Sequence, residues 1–595
     1  MKRQKDLRGF RGKHTAQTLK LTVVLHFALC ILHSQAAAKL GMPFSDHMVL
    51  QRDKPVAVWG TADPGEKVTV TFAGQTAEAT ADETGNWRTN LGPFAASKEG
   101  RILKANEAEV KDVLVGEVWF AGGQSNMGVP IVWVDPRHGD EKGAMIAQYV
   151  RRPYVRFAKY HASWQAKPVH KGSVEWKELN WENVKSENDD GNRRYGLSAV
   201  AYYFALELYS ELEVPIGVIA AYNGGTNIEA WTPREGFESI PELRELAERY
   251  PVPAEEWKAR EKELTRGGIR GGAFRQPTVL WNSNIEPFAP FTIRGAIWYQ
   301  GESNSSDAEH YCALSHALWN GWAKKFENPK LPFYFAQVAP WGSASVPALQ
   351  EAQAQFADEQ PNAAIAIIND LGNTADIHPN RKQAVAQRLA LHAFKRLYGY
   401  THIQDNSPTL KDWRIEGDRF ILSFRDVKRF YVYNMDRSLK VGFEICGEDG
   451  EWKSADIQNF RVTKRKGREQ RHGELVGTDV VVSAKGVDPA LVTVLAIFAY
   501  HFVQDVPGIY LAVEMLAYCL YVAAHSLHQL VVALGGSVRI VPEEVRSLVM
   551  PYKGMCVHVH SVVASKLAVL VRRAEVPGIR PGVEDFRLEV VLRGD

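Results

Sequence analysis

At 595 residues, with 45% hydrophobic and 24% charged side chains, the chain exceeds one ordinary core and has the composition of a globular protein of about two to four domains. A formal net charge of +2 excludes a polybasic nucleic-acid binder, and five scattered cysteines without a Cys-x-x-Cys pair exclude a disulfide scaffold or a zinc knuckle. The 16 Trp, 21 Tyr and 25 Phe suit packed cores and sugar-binding surfaces alike.

Residues 1–38 stand apart. Basic residues up to Lys20 precede an apolar run from Leu21 to Leu32, and Ala36-Ala37-Ala38 follow, which is the pattern of a secretory signal peptide. The run is too short for a membrane span, which needs about 20 residues. Removing this segment, with its seven Lys/Arg and one Asp, turns the net charge from +2 to −4. A secreted or periplasmic protein is expected, with no nucleic-acid partner and no stable membrane span.

Residues 39–110 alternate in polarity over Val56 to Gly60, Lys67 to Phe72 and Asn86 to Leu91, with Asp63-Pro64-Gly65, Ala73-Gly74 and Glu83-Thr84-Gly85 as turns, predicting a small β-sandwich-like domain. Residues 111–402 alternate strands and helices, predicting a parallel sheet covered on both faces. The strand candidates are Val113 to Ala121, Pro215 to Tyr222, Ile293 to Tyr299, Leu331 to Val338 and Ala363 to Ile368. Helical patterns cover Ser198 to Leu212, Pro241 to Arg249, Ala308 to Phe326 and Asn380 to Leu397. Gly267 to Gly272 lacks the Gly-Lys-Ser/Thr of a phosphate loop and reads as a flexible loop. Residues 403–494 return to short strands and predict a C-terminal β-domain. Residues 495–595 contain no Asn, Thr or Trp, so this tail reads as either a genuine extension or a segment translated in the wrong frame, the composition favouring the second. Cys556, His558 and His560 would share one strand face there, but the tail's composition makes a metal site a minor reading.

In open α/β sheets ligands sit at the C-terminal strand ends, and four such ends carry chemistry. Gly122-Gly123-Gln124-Ser125-Asn126-Met127 displays a serine on a turn, and Asn223-Gly224-Gly225-Thr226 offers backbone N–H groups without Cβ obstruction. Gln300-Gly301-Glu302-Ser303-Asn304 adds amides, and the segment Asn369 to Pro379 holds Asp370, Asp376 and His378. Acyl transfer needs such a set: a nucleophile, an imidazole base and donors for the oxyanion. Each loop alone has an ordinary structural reading as a turn, a helix cap or a packed histidine; the four in order point to an esterase. The Gly-x-Ser-x-Gly elbow of α/β-hydrolases is absent.

Gly-Gln-Ser-Asn-Met, Gly-Gly-Thr followed by Ile228-Glu229-Ala230-Trp231, Trp-Tyr-Gln-Gly-Glu-Ser-Asn and Asp-Ile-His-Pro resemble the sialate O-acetylesterase family of SGNH hydrolases, as do Phe44 to Arg52 and Val113 to Val118. The likeness runs from about residue 40 to about 494. It implies a flavodoxin-like SGNH-hydrolase α/β domain between β-sandwich-like domains, and a carbohydrate O-acetylesterase that needs no metal or other cofactor. Carried over residue by residue, it makes Ser125 the nucleophile, His378 the base, and Gly224, Gly225 and Asn304 oxyanion donors beside the Ser125 N–H. Asp376 would orient His378, with Asp370 or a backbone carbonyl as alternatives. Gln124, Trp231, Gln300 and Glu302 would shape the substrate site. Asn282-Ser283-Asn284 departs from the family's Asn-Gly-Met, and the family's C-terminal ending is missing. The competing reading is a non-catalytic glycan-binding protein with a degenerate esterase domain. Within the esterase reading, sialate and polysaccharide acetyl esters are both open as substrates.

Overall fold

The computed structural model describes most of residues 38–406, with gaps at 134–146, 148–149, 170–171, 185–195, 250–272, 344, 370 and 373–374. Beyond residue 406 it describes chiefly the strands. The expected signal peptide lies outside the described residues. Among the described residues no helix is long and apolar enough to cross a membrane.

The strands begin with β1 Lys39–Leu40, β2 Val49–Gln51, β3 Val56–Thr61, β4 Lys67–Phe72, β5 Gln75–Thr80, β6 Asn86–Leu91 and β7 Ser97–Ala105. They continue with β8 Ala108–Gly123, β9 Arg151–Lys159, β10 Trp176–Asn180, β11 Ile216–Tyr222, β12 Gly295–Tyr299, β13 Phe333–Ala336 and β14 Ala363–Ala366. The fold is mixed α/β around an 11-stranded mixed sheet, whose main path runs β10-β9-β11-β8-β12-β13-β14. Pairing is parallel from β9 through β14, and β10 adds an antiparallel edge.

Alternation along β8 explains the layers. Val118 and Phe120 point into one core with the helices Tyr311–Lys325 and Val346–Glu359. Trp119 and Ala121 point into the other, with the helices Ala199–Leu212 and Lys382–Leu397. A strand buried on both faces reads as the continuous apolar run seen in its sequence. Ser198 caps its helix by accepting the Ala201 N–H through its hydroxyl.

β8 is 16 residues long and belongs to both ends of the molecule. Its first half pairs with β7 and β2, and its second half with β11 and β12. The expected boundary at residue 110 therefore lies inside a strand. Beyond residue 406, a six-stranded antiparallel sheet runs from Thr409–Glu416 to Val494–Ile497, so residue 494 also falls within a strand. In the tail, Met555–His560 pairs with Ser547–Tyr552, which sets Cys556, His558 and His560 at alternate positions of one strand.

Candidate active site

The parallel register brings the carboxyl ends of β8, β11 and β12 level, with Gly123 opposite both Tyr222 and Tyr299. Gly123 has φ +142°, and a Cβ there would lie 2.2 Å from the Tyr299 carbonyl oxygen, so only glycine lets the chain leave the sheet at this point. The Gln124 N–H then donates to Tyr299 O at 3.0 Å and the Asn223 N–H to Gly123 O at 3.1 Å, which ties the three strand ends together.

Ser125 opens a one-turn helix, Ser125–Gly128, and is half-buried. Its Oγ lies 2.8 Å from His378 Nε2, although 253 residues separate the two. With the ring proton on Nδ1, Nε2 accepts the serine hydroxyl, the geometry of a nucleophile and its base. Burial, and then the Lys382 ammonium, push the His378 imidazole below its ordinary 6.5, against the pull of Asp376. A neutral imidazole is thus favoured there, and it is able to accept a proton. Asp376 takes the His378 backbone N–H on its carboxylate at 2.8 Å, so its contact shapes the turn that carries the ring. Asp370 lies outside the described residues.

The loop after β11 approaches from the other side. A Cβ on the exposed Gly224 would stand 3.4 Å from Ser125 Cβ, which places this backbone beside the nucleophile. Gly225, at φ +72°, accepts Arg275 Nε on its carbonyl at 2.8 Å. Thr226 staples the turn by donating its hydroxyl to Asn223 O at 2.7 Å. Asn304 is 3% exposed, and its Nδ2 donates to Glu229 at 2.8 Å. Its Oδ1 accepts the Ile228 N–H and Gln300 Nε2, which fixes the amide's orientation and leaves a second Nδ2 hydrogen.

Burial corrects the expectation for four residues. Trp231 is fully buried, donates its indole N–H to Thr226 Oγ1 at 2.9 Å and packs edge-on against Trp298; it props the glycine loop and has no face for a sugar. Gln124 is 3% exposed and accepts the Ser303 N–H at 3.3 Å. Gln300 is fully buried between Thr226 O, Asn304 and the Tyr311 hydroxyl. Glu302 is 6% exposed and accepts Asn126 Nδ2. All four hold the loops from behind, because polar groups taken out of water must bond to one another. Among the described aromatic side chains near Ser125 in sequence, Trp133 is exposed, at 41%, on the short helix Ile131–Trp133.

Two residues to which the sequence assigns no role, Asn126 and Lys382, lie behind Ser125 and His378. Both are fully buried, with Lys382 Nζ donating to Asn126 Oδ1 at 2.5 Å. Burial pushes Lys382 down to about 7, against Glu302 and Asp376, and pushes the Glu302 carboxyl up. The available signal was a lysine four residues after His378 at the buried start of a helix, ordinarily a solvated position. The Asn282-Ser283-Asn284 departure also has a structural account. Asn284 accepts the Ala162 N–H and donates to Ala162 O, and Asn282 donates to Gln165 O, so these amides pin the segment after β9.

A histidine on a half-buried serine, with a glycine-rich loop against it, fits acyl transfer, and comparison with known proteins makes the class a hydrolase of carboxylic esters. The family model described as "Carbohydrate esterase, sialic acid-specific acetylesterase" matches residues 272–395. The chain is 27% identical to rat (Rattus norvegicus) sialate O-acetylesterase, over 74% of this chain and 89% of that one. It is likewise 27% identical to the human (Homo sapiens) sialate O-acetylesterase, over 70% and 83%. A solved carbohydrate acetylesterase from Xanthomonas citri is 28% identical and superposes with a TM-score of 0.61, covering 76% of this chain and 92% of that one. The resemblance read from the four loops thus extends over most of the chain: it is a carboxylic-ester hydrolase similar to the sialate O-acetylesterases.

Proposed function

We propose that the protein is an exported carbohydrate O-acetylesterase that works through an acetyl-enzyme on Ser125. The observation that carries this reading is the 2.8 Å contact between Ser125 Oγ and His378 Nε2 beside the exposed Gly224. The histidine takes the serine proton as Oγ attacks the acetyl carbonyl. The Ser125 and Gly224 or Gly225 N–H groups, with the second Asn304 Nδ2 hydrogen, stabilise the oxyanion, and His378 gives the proton to the sugar oxygen as its bond to the acetyl carbon breaks, releasing the sugar hydroxyl. Water then repeats the sequence against the acetyl-serine. The names of the relatives support an acetylated carbohydrate as substrate, and the first 38 residues support export. An SGNH-type flavodoxin-like domain between β-domains suits the order of loops along the sheet.

Trp133 supplies an aromatic face for the sugar in this reading. Trp133→Ala should raise KM for an acetylated oligosaccharide about fivefold or more and leave that for a small chromogenic acetyl ester unchanged; equal KM values for the two enzymes on the oligosaccharide would remove Trp133 from the site. Ser125→Ala and His378→Ala should each lower acetate release by at least about a thousandfold. Unchanged turnover in either variant would overturn the proposal. Acetylated sialosides, xylans and pectins, compared by kcat/KM, sort the substrate.

A further inference from the structure

We infer that Lys382 is a positioning residue for the reaction, acting through Asn126 to hold the nucleophile and base segments in register. The inference rests on the Ser125/His378 reading above. Asn126 directly follows Ser125, and Ile377 directly precedes His378. Asn126 Nδ2 donates to Ile377 O at 2.9 Å, so one side chain straps the two catalytic segments together.

The strap works only if the amide keeps one orientation, and the buried lysine and glutamate on either side of it impose that orientation through their hydrogen bonds. Lys382 Nζ donates to Asn126 Oδ1, and the second Nδ2 hydrogen goes to Glu302 Oε1. The amide thus lies between lysine and glutamate, its carbonyl toward Nζ and its NH2 toward the carboxyl. A flipped amide would present NH2 to Nζ and oxygen to the Glu302 and Ile377 acceptors and lose all three bonds. Lys382 Nζ also stands 5.0 Å from the Tyr299 ring centroid, a cation–π contact, and Tyr299 is the strand-end residue whose carbonyl accepts Gln124 N–H. The lysine therefore touches the ends of both the nucleophile strand and its neighbour from the start of the helix Lys382–Leu397. Every polar hydrogen and oxygen of the Asn126 side chain is assigned, as a buried amide requires. An ammonium excluded from solvent is costly, and its retention four residues beyond the base is explained by this task rather than by stability.

The test compares Lys382→Met, and the double variant Lys382→Met with Glu302→Gln, with the parent enzyme. Lys382→Met leaves a buried carboxylate uncompensated and is expected to lower Tm. The double variant removes both charges, and its glutamine amide can meet either end of the Asn126 amide, so thermal stability should return while the amide loses the partners that fixed its orientation. The prediction is that kcat falls at least about tenfold in the folded double variant with KM within about twofold, and that a serine-directed phosphonate labels Ser125 more slowly to a similar degree. Wild-type kcat in the stable double variant, or a loss confined to KM, would overturn the inference. Ser125→Ala assayed alongside separates the two levels: an active Ser125→Ala would refute the esterase mechanism itself, whereas an inactive one beside an unimpaired double variant refutes only the role of Lys382.

Discussion

His378 carries a pH dependence that can be read from its surroundings. In the proposed mechanism the base works as the neutral imidazole, and burial together with Lys382 holds the His378 pKa below the ordinary 6.5. The inactive, protonated form therefore appears only at lower pH, and the acid limb of kcat/KM should have its midpoint below 6.5. A midpoint above that value would mean that the imidazole is stabilised as a cation. The sequence singled out Ser125 and His378 because nucleophile and base chemistry restrict residue type, and the structure sets their Oγ and Nε2 atoms 2.8 Å apart. The roles of the residues behind them were not legible. Gln124, Trp231, Gln300 and Glu302 are polar or amphipathic residues in site loops, and sequence alone cannot separate a side chain that faces a sugar from one that bonds to the next loop. Burial separates them, all four being at most 6% exposed.

At the scale of elements, the site depends on three strand ends meeting within hydrogen-bond distance, and Gly123 is where they meet. Gly123→Ala would place a methyl 2.2 Å from Tyr299 O at a φ that disfavours any side chain. It should cost at least about 2 kcal/mol of stability and most of the activity. A variant with the parent's urea midpoint and turnover would show that the strand ends do not need this close approach. The core strands were legible because they are apolar runs bounded by turns, and the described bounds of β11, β12 and β14 lie within the expected ones. β9 and β10 escaped notice, since Arg151-Arg152-Pro153 opens the one and charged residues interrupt the other. The helix Val346–Glu359 also escaped, because its buried face is spread thinly over Leu349, Ala352 and Phe356 among glutamines and alanines.

At the scale of the whole molecule, β8 joins the N-terminal strands to the catalytic sheet, and one buried carboxylate fastens the join. Glu117, fully buried at mid-strand, accepts Arg52 Nε at 2.5 Å from the N-terminal side and Arg294 Nε at 2.6 Å from the segment entering β12. Burial would raise the Glu117 carboxyl, but Arg294 and then Arg52 outweigh it and hold it below its ordinary 4.5. The stabilisation is present above pH 4.5 and is lost as pH falls through the lowered folded value. Arg294→Met, which leaves the carboxylate half-paired, should cost about 3–5 kcal/mol in urea unfolding at pH 7. An unchanged midpoint would show that Arg52 suffices. The sequence pattern led to an expected division of the chain into an α/β centre and β-rich flanks, but it could not reveal that a single strand runs through the first expected junction. Periodicity reports the faces of a strand and says nothing about how many sheets it enters.

The central claim is that Ser125 carries the acetyl group between sugar and water. Acid-quenching the enzyme during turnover of an acetylated sugar, followed by peptide mass mapping, tests it most directly. The account predicts one added acetyl group on the peptide containing Ser125, absent in Ser125→Ala. Acetate release at the normal rate with the acetyl group on another residue, or with Ser125→Ala still turning over, would contradict it.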